Sequence, residues 1–211
     1  MEIVRAPGGA RKFRFASLAD PGRSILCGMR HVRGVLFVDY VRMLRSQKAI
    51  DWSERLAAED LPYLAMPIEA DSWYPMATFE RMGNEILRTV ARGELFPVQL
   101  WGRYQSAAMR AANPALLAAG DPIETLHRFR KLRETFFDWL AVDVRQCAPG
   151  SAQIVIAYHM GMIAEEAAAY QTMGFFEGLL ELAGAKSIEA KFRSRSWIGE
   201  PETLLAIQWS Q

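Results

Sequence analysis

The sequence has few cysteines and no long apolar run, and both shortages restrict the class of protein. Cys27 and Cys147 are the two cysteines among 211 residues, and neither has a partner at metal-ligand spacing. This predicts a reducing compartment without a disulfide framework, so we expect a cytoplasmic protein. No run approaches the roughly 18–20 apolar residues that a membrane span needs. Basic residues interrupt residues 1–15, so these residues contain no signal-peptide core.

Motifs for catalysis, nucleotide binding and metal binding are missing as well. The three histidines, His31, His127 and His159, have no serine or cysteine beside them in a nucleophile pattern, and there is no phosphate-binding glycine loop. Tyr158 and His159 would serve as an acid–base pair only in one pocket, but strand alternation places neighbouring residues on opposite faces. We therefore predict a protein that is not an enzyme and has no metal site.

Positive charge is concentrated near the N-terminus, although the net charge is only +1. The stretch 1–33 holds seven basic residues and only two acidic ones, Glu2 and Asp20. We predict a basic arm over residues 1–30, either solvated and partly flexible or bound to an acidic partner. Nucleic acid is not the expected partner, because no nucleic-acid motif accompanies the charge. Residues 31–211 are predicted to form a single ligand-binding-like domain, helical over 31–138 and sheet-containing over 139–211.

Helices are predicted through the first two-thirds of the chain, with bounds set by apolar spacing and by capping residues. The strongest local signal is Asp121-Pro122-Ile123-Glu124, in which aspartate caps the helix, proline follows, and glutamate is placed to reach back to the cap N–H. The predicted helices are 34–46, 51–60, 76–92, 96–111 and 121–136, with a short one starting at 113–114.

The last third predicts two hairpins separated by one long helix. Strands are expected over 139–147, 153–158, 188–192 and 203–209, and a helix over 163–184 that ends at Gly184. The small residues Gly174 and Gly178 predict close packing of that helix on the sheet. Its acidic residues (Glu165, Glu166, Glu177 and Glu181) are interpreted as a solvated face or, alternatively, as an exposed acidic stripe that meets the basic arm. The fold class is α+β, with the helical part packed on an antiparallel ββαββ unit.

A pocket is expected between the helical part and the sheet, since such junctions commonly hold small molecules. The candidate residues are His127, Phe136, Tyr158, Met160 and Met162, which would supply a ligand histidine, a tyrosine donor and soft apolar walls. The alternative interpretation is a partly buried histidine with its hydrogen bonds satisfied, and methionines that fill gaps in the core.

The order of these elements resembles the haem nitric oxide/oxygen binding (H-NOX) domain and the related four-vinyl-reductase (V4R) type of small-molecule-binding domain. The resemblance covers the chain after residue 30 and is most specific from Asp121 onward. There the stretch 174–185 (Gly-Phe-Phe-Glu-Gly-Leu-Leu-Glu-Leu-Ala-Gly-Ala) is similar to the helix that this superfamily shares. The chain is also similar to a paralogous group of uncharacterised myxobacterial proteins, which implies a bacterial protein.

The resemblance implies specific cofactor residues, and this chain retains only some of them. In haem-binding members a histidine ligates the iron, and a Tyr-x-Ser-x-Arg motif about thirty residues later holds the propionates. His127 matches the first position to within one residue and Tyr158 matches the tyrosine, but Met160 and Met162 stand where serine and arginine are expected. Methionine does not make the bidentate contact that arginine makes. Residues 192–209 also lack the metal-binding cysteines of V4R members.

Three functions follow as hypotheses. The first is a regulatory or sensory domain that binds a small apolar ligand or a protein partner without any cofactor. The second is a haem-based gas sensor with His127 as the proximal iron ligand. The third is an assembly protein, including a homodimer, that pairs through an edge strand such as 203–209. The sequence does not identify the ligand, the partner, the oligomeric state or the signalling output.

Overall fold

The fold has a helical half followed by a sheet half. A computed structural model describes residues 29–210. Its α-helices are α1 (Gly34–Ser46), α2 (Pro62–Ala65), α3 (Met76–Thr89), α4 (Leu95–Ala112), α5 (Pro122–Leu132) and α6 (Met162–Leu182). Its strands are β1 (His31–Arg33), β2 (Trp73–Pro75), β3 (Val142–Ala148), β4 (Ser151–Ile156), β5 (Lys186–Ser194) and β6 (Thr203–Ser210). The α+β class, with a helical N-terminal part on a C-terminal ββαββ unit, is confirmed.

The large sheet is antiparallel and has the order β3-β4-β6-β5. Pro149 and Gly150 form the two-residue turn between β3 and β4, and Gly150 adopts the positive φ of 74° expected of the residue after proline in a type II turn. Alternate residues of β4 and β6 point to the core and are fully or nearly fully buried, including Ile154, Leu205 and Ile207. Trp209 is also buried and belongs to this core face. One face of the sheet therefore packs on the helices, as the alternation predicted.

The position of β6 corrects the prediction that 203–209 is an edge strand. β6 pairs with β4 on one side and with β5 on the other, so both of its hydrogen-bonding edges are used. The order of the strands in the sequence does not reveal this arrangement. The chain forms β5 at the outer edge first, and β6 then lies between β5 and β4. Within the described residues, the free edges of this sheet belong to β3 and β5.

Helices α4 and α6 run side by side at backbone contact. A Cβ atom added at Gly102 would lie 1.9 Å from the carbonyl oxygen of Gln171, and one added at Gly174 would lie 1.8 Å from the carbonyl oxygen of Gln99. Gly178 similarly faces Ser106. The prediction that the Gly174 and Gly178 pair packs on the sheet was therefore wrong, since their partner is a helix. The two backbones approach this closely because one residue at each contact is a glycine, which has no Cβ atom.

Two local predictions differ from the structure in detail. Asp121 caps α5 as expected and accepts from the Glu124 N–H at 2.9 Å, but the Glu124 carboxylate turns to Arg128 at 2.9 Å instead of the cap N–H. The cap N–H of Asp121 already donates to the Ala118 carbonyl at 3.0 Å, so the Glu124 carboxylate is left to pair with the charged Arg128. The helix predicted over 51–60 is only one 3₁₀ turn, Trp52–Glu54.

Some expectations concern residues that the structure does not describe. Residues 1–28, which make up most of the predicted basic arm and include Cys27, lie outside the described residues. Within residues 29–210, no helix has the length and apolar character to cross a membrane.

Candidate functional site

A cavity of about 280 Å³ lies between the helical half and the sheet. Helices α1, α4 and α6 form most of its wall, and residues around the start of β3 close its inner end. Its apolar lining includes Val35, Leu36, Phe79, Met109, Phe129, Phe136, Phe137, Val142, Phe175 and Phe176. The residues that are both exposed and part of the lining are Arg42, Ala108 and Ala112, so the mouth opens between α1 and α4.

The inner wall carries one buried hydroxyl pair. The Tyr158 and Thr172 oxygens are 2.7 Å apart, and the Thr172 hydroxyl donates to the Ala168 carbonyl at 2.8 Å. Since threonine has a single hydroxyl proton, the tyrosine must donate to the threonine. Burial raises the pKa of Tyr158 well above its usual range, against a smaller lowering by the Thr172 hydrogen bond. Tyr158 is therefore a neutral hydrogen-bond donor whose proton is already used.

Three further polar side chains form a chain of hydrogen bonds from the interior towards the mouth of the cavity. The Tyr40 hydroxyl donates to Gln171 Oε1 at 2.8 Å, and Gln171 Nε2 donates to Gln105 Oε1 at 2.6 Å. Burial raises the pKa of Tyr40 far above its usual range, so this residue also stays protonated. At the mouth, Arg42 Nη1 donates to Asp39 Oδ1 at 3.2 Å. The chain satisfies its own buried groups and leaves the remaining surface of the cavity apolar.

The loop between β4 and α6 is held by charged side chains at the outer side of the Tyr158 wall. Glu165 is buried and accepts from the N–H groups of Tyr158 at 3.1 Å and Met160 at 2.8 Å. Arg30 donates to the carbonyl oxygens of Tyr158 and His159. Burial raises the pKa of the Glu165 carboxyl, and the two N–H donors partly offset that rise. These contacts fix the backbone from which Tyr158 reaches the cavity.

The burial of two glutamates corrects the predicted solvated face of α6. Glu165 is 3% exposed and Glu177 is 9% exposed, and Glu177 accepts from Gln99 Nε2 at 2.9 Å. Glu166 is half-buried, and Glu181 is exposed and pairs with Arg103 at 2.5 Å. The prediction failed because α6 is covered on more than one side, so polar residues on it are buried with specific partners.

The structure brings only part of the predicted pocket together. Phe136 and Tyr158 line the cavity. Met160 lines a separate space of about 20 Å³ beside it, between α3, α4 and α6. Met162 is 72% exposed, at the first position of α6. His127 is 49% exposed, 4.0 Å from Glu124 Oε2, and does not border the cavity.

Helix geometry explains the position of His127. The buried face of α5 is formed by Thr125, Leu126 and Phe129, and a step of one residue turns the helix by about 100°. His127 therefore shares a face with Glu124 and not with Phe129. The periodicity that located the core face of this helix could also have shown that the histidine points elsewhere.

The cavity has a poor donor set for a metal. Its described lining contains neither histidine nor cysteine, and residues 29–210 contain no group of three or more His, Cys, Asp or Glu side chains placed to hold a metal ion. Both lining tyrosines are kept protonated by burial, which disfavours the phenolate that would bind iron. Met109 also lines the cavity, but a methionine ligand of haem iron normally works together with a histidine.

Several residues of the site were missed by the sequence reasoning. They are the polar lining residues Asp39, Tyr40, Arg42, Gln105, Gln171 and Thr172. Tyr40 lies on the apolar face of α1, one turn from Leu36 and Leu44, and this spacing could have indicated its burial. Nothing in the sequence indicated that Gln105 and Gln171 meet, because they are 66 residues apart.

Comparison with known proteins supports the fold more strongly than any chemistry. No protein-family model and no curated protein matches this sequence. An H-NOX protein from S. oneidensis in the Fe(II)NO ligation state aligns with a TM-score of 0.60 and 8% identity, over 85% of this chain and 99% of that one. An Fe(II) unliganded H-NOX protein from K. algicida aligns with a TM-score of 0.60 and 13% identity, over 85% and 97%.

A third solved structure agrees with these two. A point mutant of T. Tengcongensis H-NOX aligns with a TM-score of 0.56 and 12% identity, over 85% of this chain and 98% of that one. The chain therefore has an H-NOX-like fold, as its resemblance implied. The similarities to V4R domains and to the myxobacterial group stay predictions.

Proposed function

We propose that this chain is a non-enzymatic sensory or regulatory domain whose cavity binds a small apolar ligand. The observation that carries the proposal is the cavity itself, a preformed space of about 280 Å³ with a mainly apolar wall and a mouth between α1 and α4. Preformed apolar cavities with a few placed polar groups are the usual form of small-molecule sites. For scale, an engineered apolar cavity of about 150 Å³ binds benzene. We therefore expect a ligand of one to two aromatic rings or the aliphatic equivalent.

The polar groups of the site favour binding over catalysis. Tyr158 and Thr172 are bonded to each other, and Tyr40, Gln171 and Gln105 are bonded in sequence. His159 is exposed while Tyr158 is buried, so the two residues do not reach one substrate together. General acid–base catalysis needs such groups within hydrogen-bond distance of the reacting atom.

Haem-based gas sensing is the alternative, and the fold favours it. Two of the solved neighbours are H-NOX proteins with Fe(II), and another was studied for heme distortion. The residues of this chain do not fit haem. His127 lies on the outer face of α5, and the described lining of the cavity contains no histidine or cysteine that could bind the iron. Adding haemin to the purified protein should therefore give no Soret band that depends on His127. A band that is lost in His127→Ala would contradict the apolar-ligand proposal.

The primary test is the binding of ethylbenzene, measured by isothermal titration calorimetry. Ala108 and Ala107 are neighbouring exposed residues of α4, but only Ala108 lines the cavity. We expect Ala108→Trp to block the mouth and to weaken binding by about tenfold or more. The indole would take space at the mouth, so the ligand would lose apolar contact area with the wall. Ala107→Trp adds the same indole to the same helix and should leave the affinity unchanged. Equal affinities in both variants would show that ethylbenzene binds somewhere else.

Partner binding and dimerisation stay proposals. The position of β6 removes it as a pairing strand, and within the described residues the free edges of the large sheet belong to β3 and β5. An exposed strand edge carries unpaired backbone groups that another strand can use. Light scattering over a range of protein concentrations would test whether two copies associate.

A further inference from the structure

The charged groups of the cavity lie at its mouth, with the anion placed deeper than the cation. Asp39 and Arg42 are the two charged residues in the described lining, and both lie on α1. The Asp39 side chain is 32% exposed and the Arg42 side chain is 73% exposed. Arg42 therefore extends into solvent, whereas the carboxylate borders the apolar space.

The surroundings of Asp39 leave it with few strong donors. One hydrogen bond of 3.2 Å joins it to Arg42, and an exposed ion pair of this kind contributes little. Tyr40 and Gln171 donate within the hydrogen-bond chain behind it, and the Gln105 amide at the end of that chain offers Asp39 only a neutral donor. Burial raises the pKa of the Asp39 carboxyl, while Arg42 and the neighbouring Gln105 amide lower it. A ligand that covers the mouth would remove more water from this carboxylate and so increase its need for a donor.

We propose, on the premise that the cavity is the ligand site, that its ligand is a small amine, with an apolar body inside and a protonated amino group bound to Asp39. An ammonium group supplies both the positive charge and several N–H donors that a partly desolvated carboxylate lacks. Arg42 can move outward to make room, because its side chain is 73% exposed and makes one hydrogen bond, to Asp39, within residues 29–210. A ligand carboxylate would instead lie beside Asp39 and be repelled.

The test compares probes with one body and different head groups. Ethylbenzene, 2-phenylethanol, 2-phenylethylamine and 3-phenylpropionate share a phenyl ring on a two-carbon chain and differ in the group at its end. Calorimetry at neutral pH should show the amine binding about tenfold or more tightly than the alcohol, with the acid weakest. If the amine binds no better than ethylbenzene, the amine proposal is wrong and the apolar-ligand function stands. If neither ethylbenzene nor the amine binds, both proposals are wrong.

Two variants assign the preference to Asp39. Asp39→Asn keeps the size of the side chain and removes its charge, so it should abolish the advantage of the amine over the alcohol. Arg42→Gln removes the competing cation and keeps the carboxylate, so amine binding should be retained or strengthened. If Asp39→Asn fails to fold, Arg42→Gln still tests the assignment. An amine preference that survives Asp39→Asn, or that is lost in Arg42→Gln, would overturn the assignment.

Discussion

Replacing Gly102 with alanine should separate α4 from α6 and destabilise the protein. The added Cβ would lie 1.9 Å from the Gln171 carbonyl oxygen, 2.8 Å from the carbonyl carbon and 2.9 Å from the Phe175 nitrogen. All three are backbone atoms, so no side-chain rotation relieves the overlap. Either helix must move by more than an ångström to restore a normal contact.

The magnitude follows from two opposing effects. An alanine in a helix interior is favoured over glycine by about 1 kcal/mol. Inserting a methyl group into a packed core costs about 1–3 kcal/mol, and a backbone overlap of this depth lies at the upper end or beyond. We therefore expect a net loss of about 1–3 kcal/mol in the free energy of unfolding, equivalent to about 2–12 °C in Tm for a chain of this size.

Urea denaturation followed by circular dichroism measures this loss. Ala107→Gly, at an exposed position of the same helix, measures the helix-propensity effect separately and should cost about 1 kcal/mol. The side chain of Gln171 belongs to the hydrogen-bond chain of the cavity, so Gly102→Ala should also weaken ethylbenzene binding. A Gly102→Ala variant that is more stable than the wild type would refute the backbone contact between the two helices.

Two further predictions concern buried carboxylates. Burial raises the pKa of Glu165 above its usual 4.5, so its contribution to stability is full below that pH and is lost as the pH rises. The wild type should therefore lose stability relative to Glu165→Gln as the pH rises above about 4.5 in urea titrations, and a constant difference would contradict this. Asp60 is fully buried and accepts from Thr78 at 2.8 Å and twice from Arg81 at 2.7 Å. Asp60→Asn should cost about 2–3 kcal/mol of stability, because it removes the buried charge that pairs with Arg81; the loss is limited because Arg81 is partly exposed and keeps some solvation. Asp71→Asn, in an exposed pair, should change nothing measurable. Equal effects of the two variants would contradict the buried pairing.

The local signals of the sequence predicted most of the elements and the fold class. Gly150 and Gly184 occupy the positive-φ positions expected of a hairpin turn and a helix end, and Asp121 caps α5. These features depend on a few neighbouring residues and on backbone geometry, so they can be read from the chain directly. The candidate site was predicted less well. Phe136 and Tyr158 line the cavity, whereas His127 and Met162 are exposed on other surfaces.

The sequence alone determined where the turns, caps and apolar faces of this protein lie, because each is set by residues close together in the chain. Only the tertiary structure decided which faces meet. It placed β6 inside the sheet, set Gly174 against α4, and joined Gln105 to Gln171 at the cavity. These contacts link residues far apart in the chain, and their stability depends on close packing and on partners for buried polar groups. For this reason the cavity and its polar mouth became visible only in the folded chain.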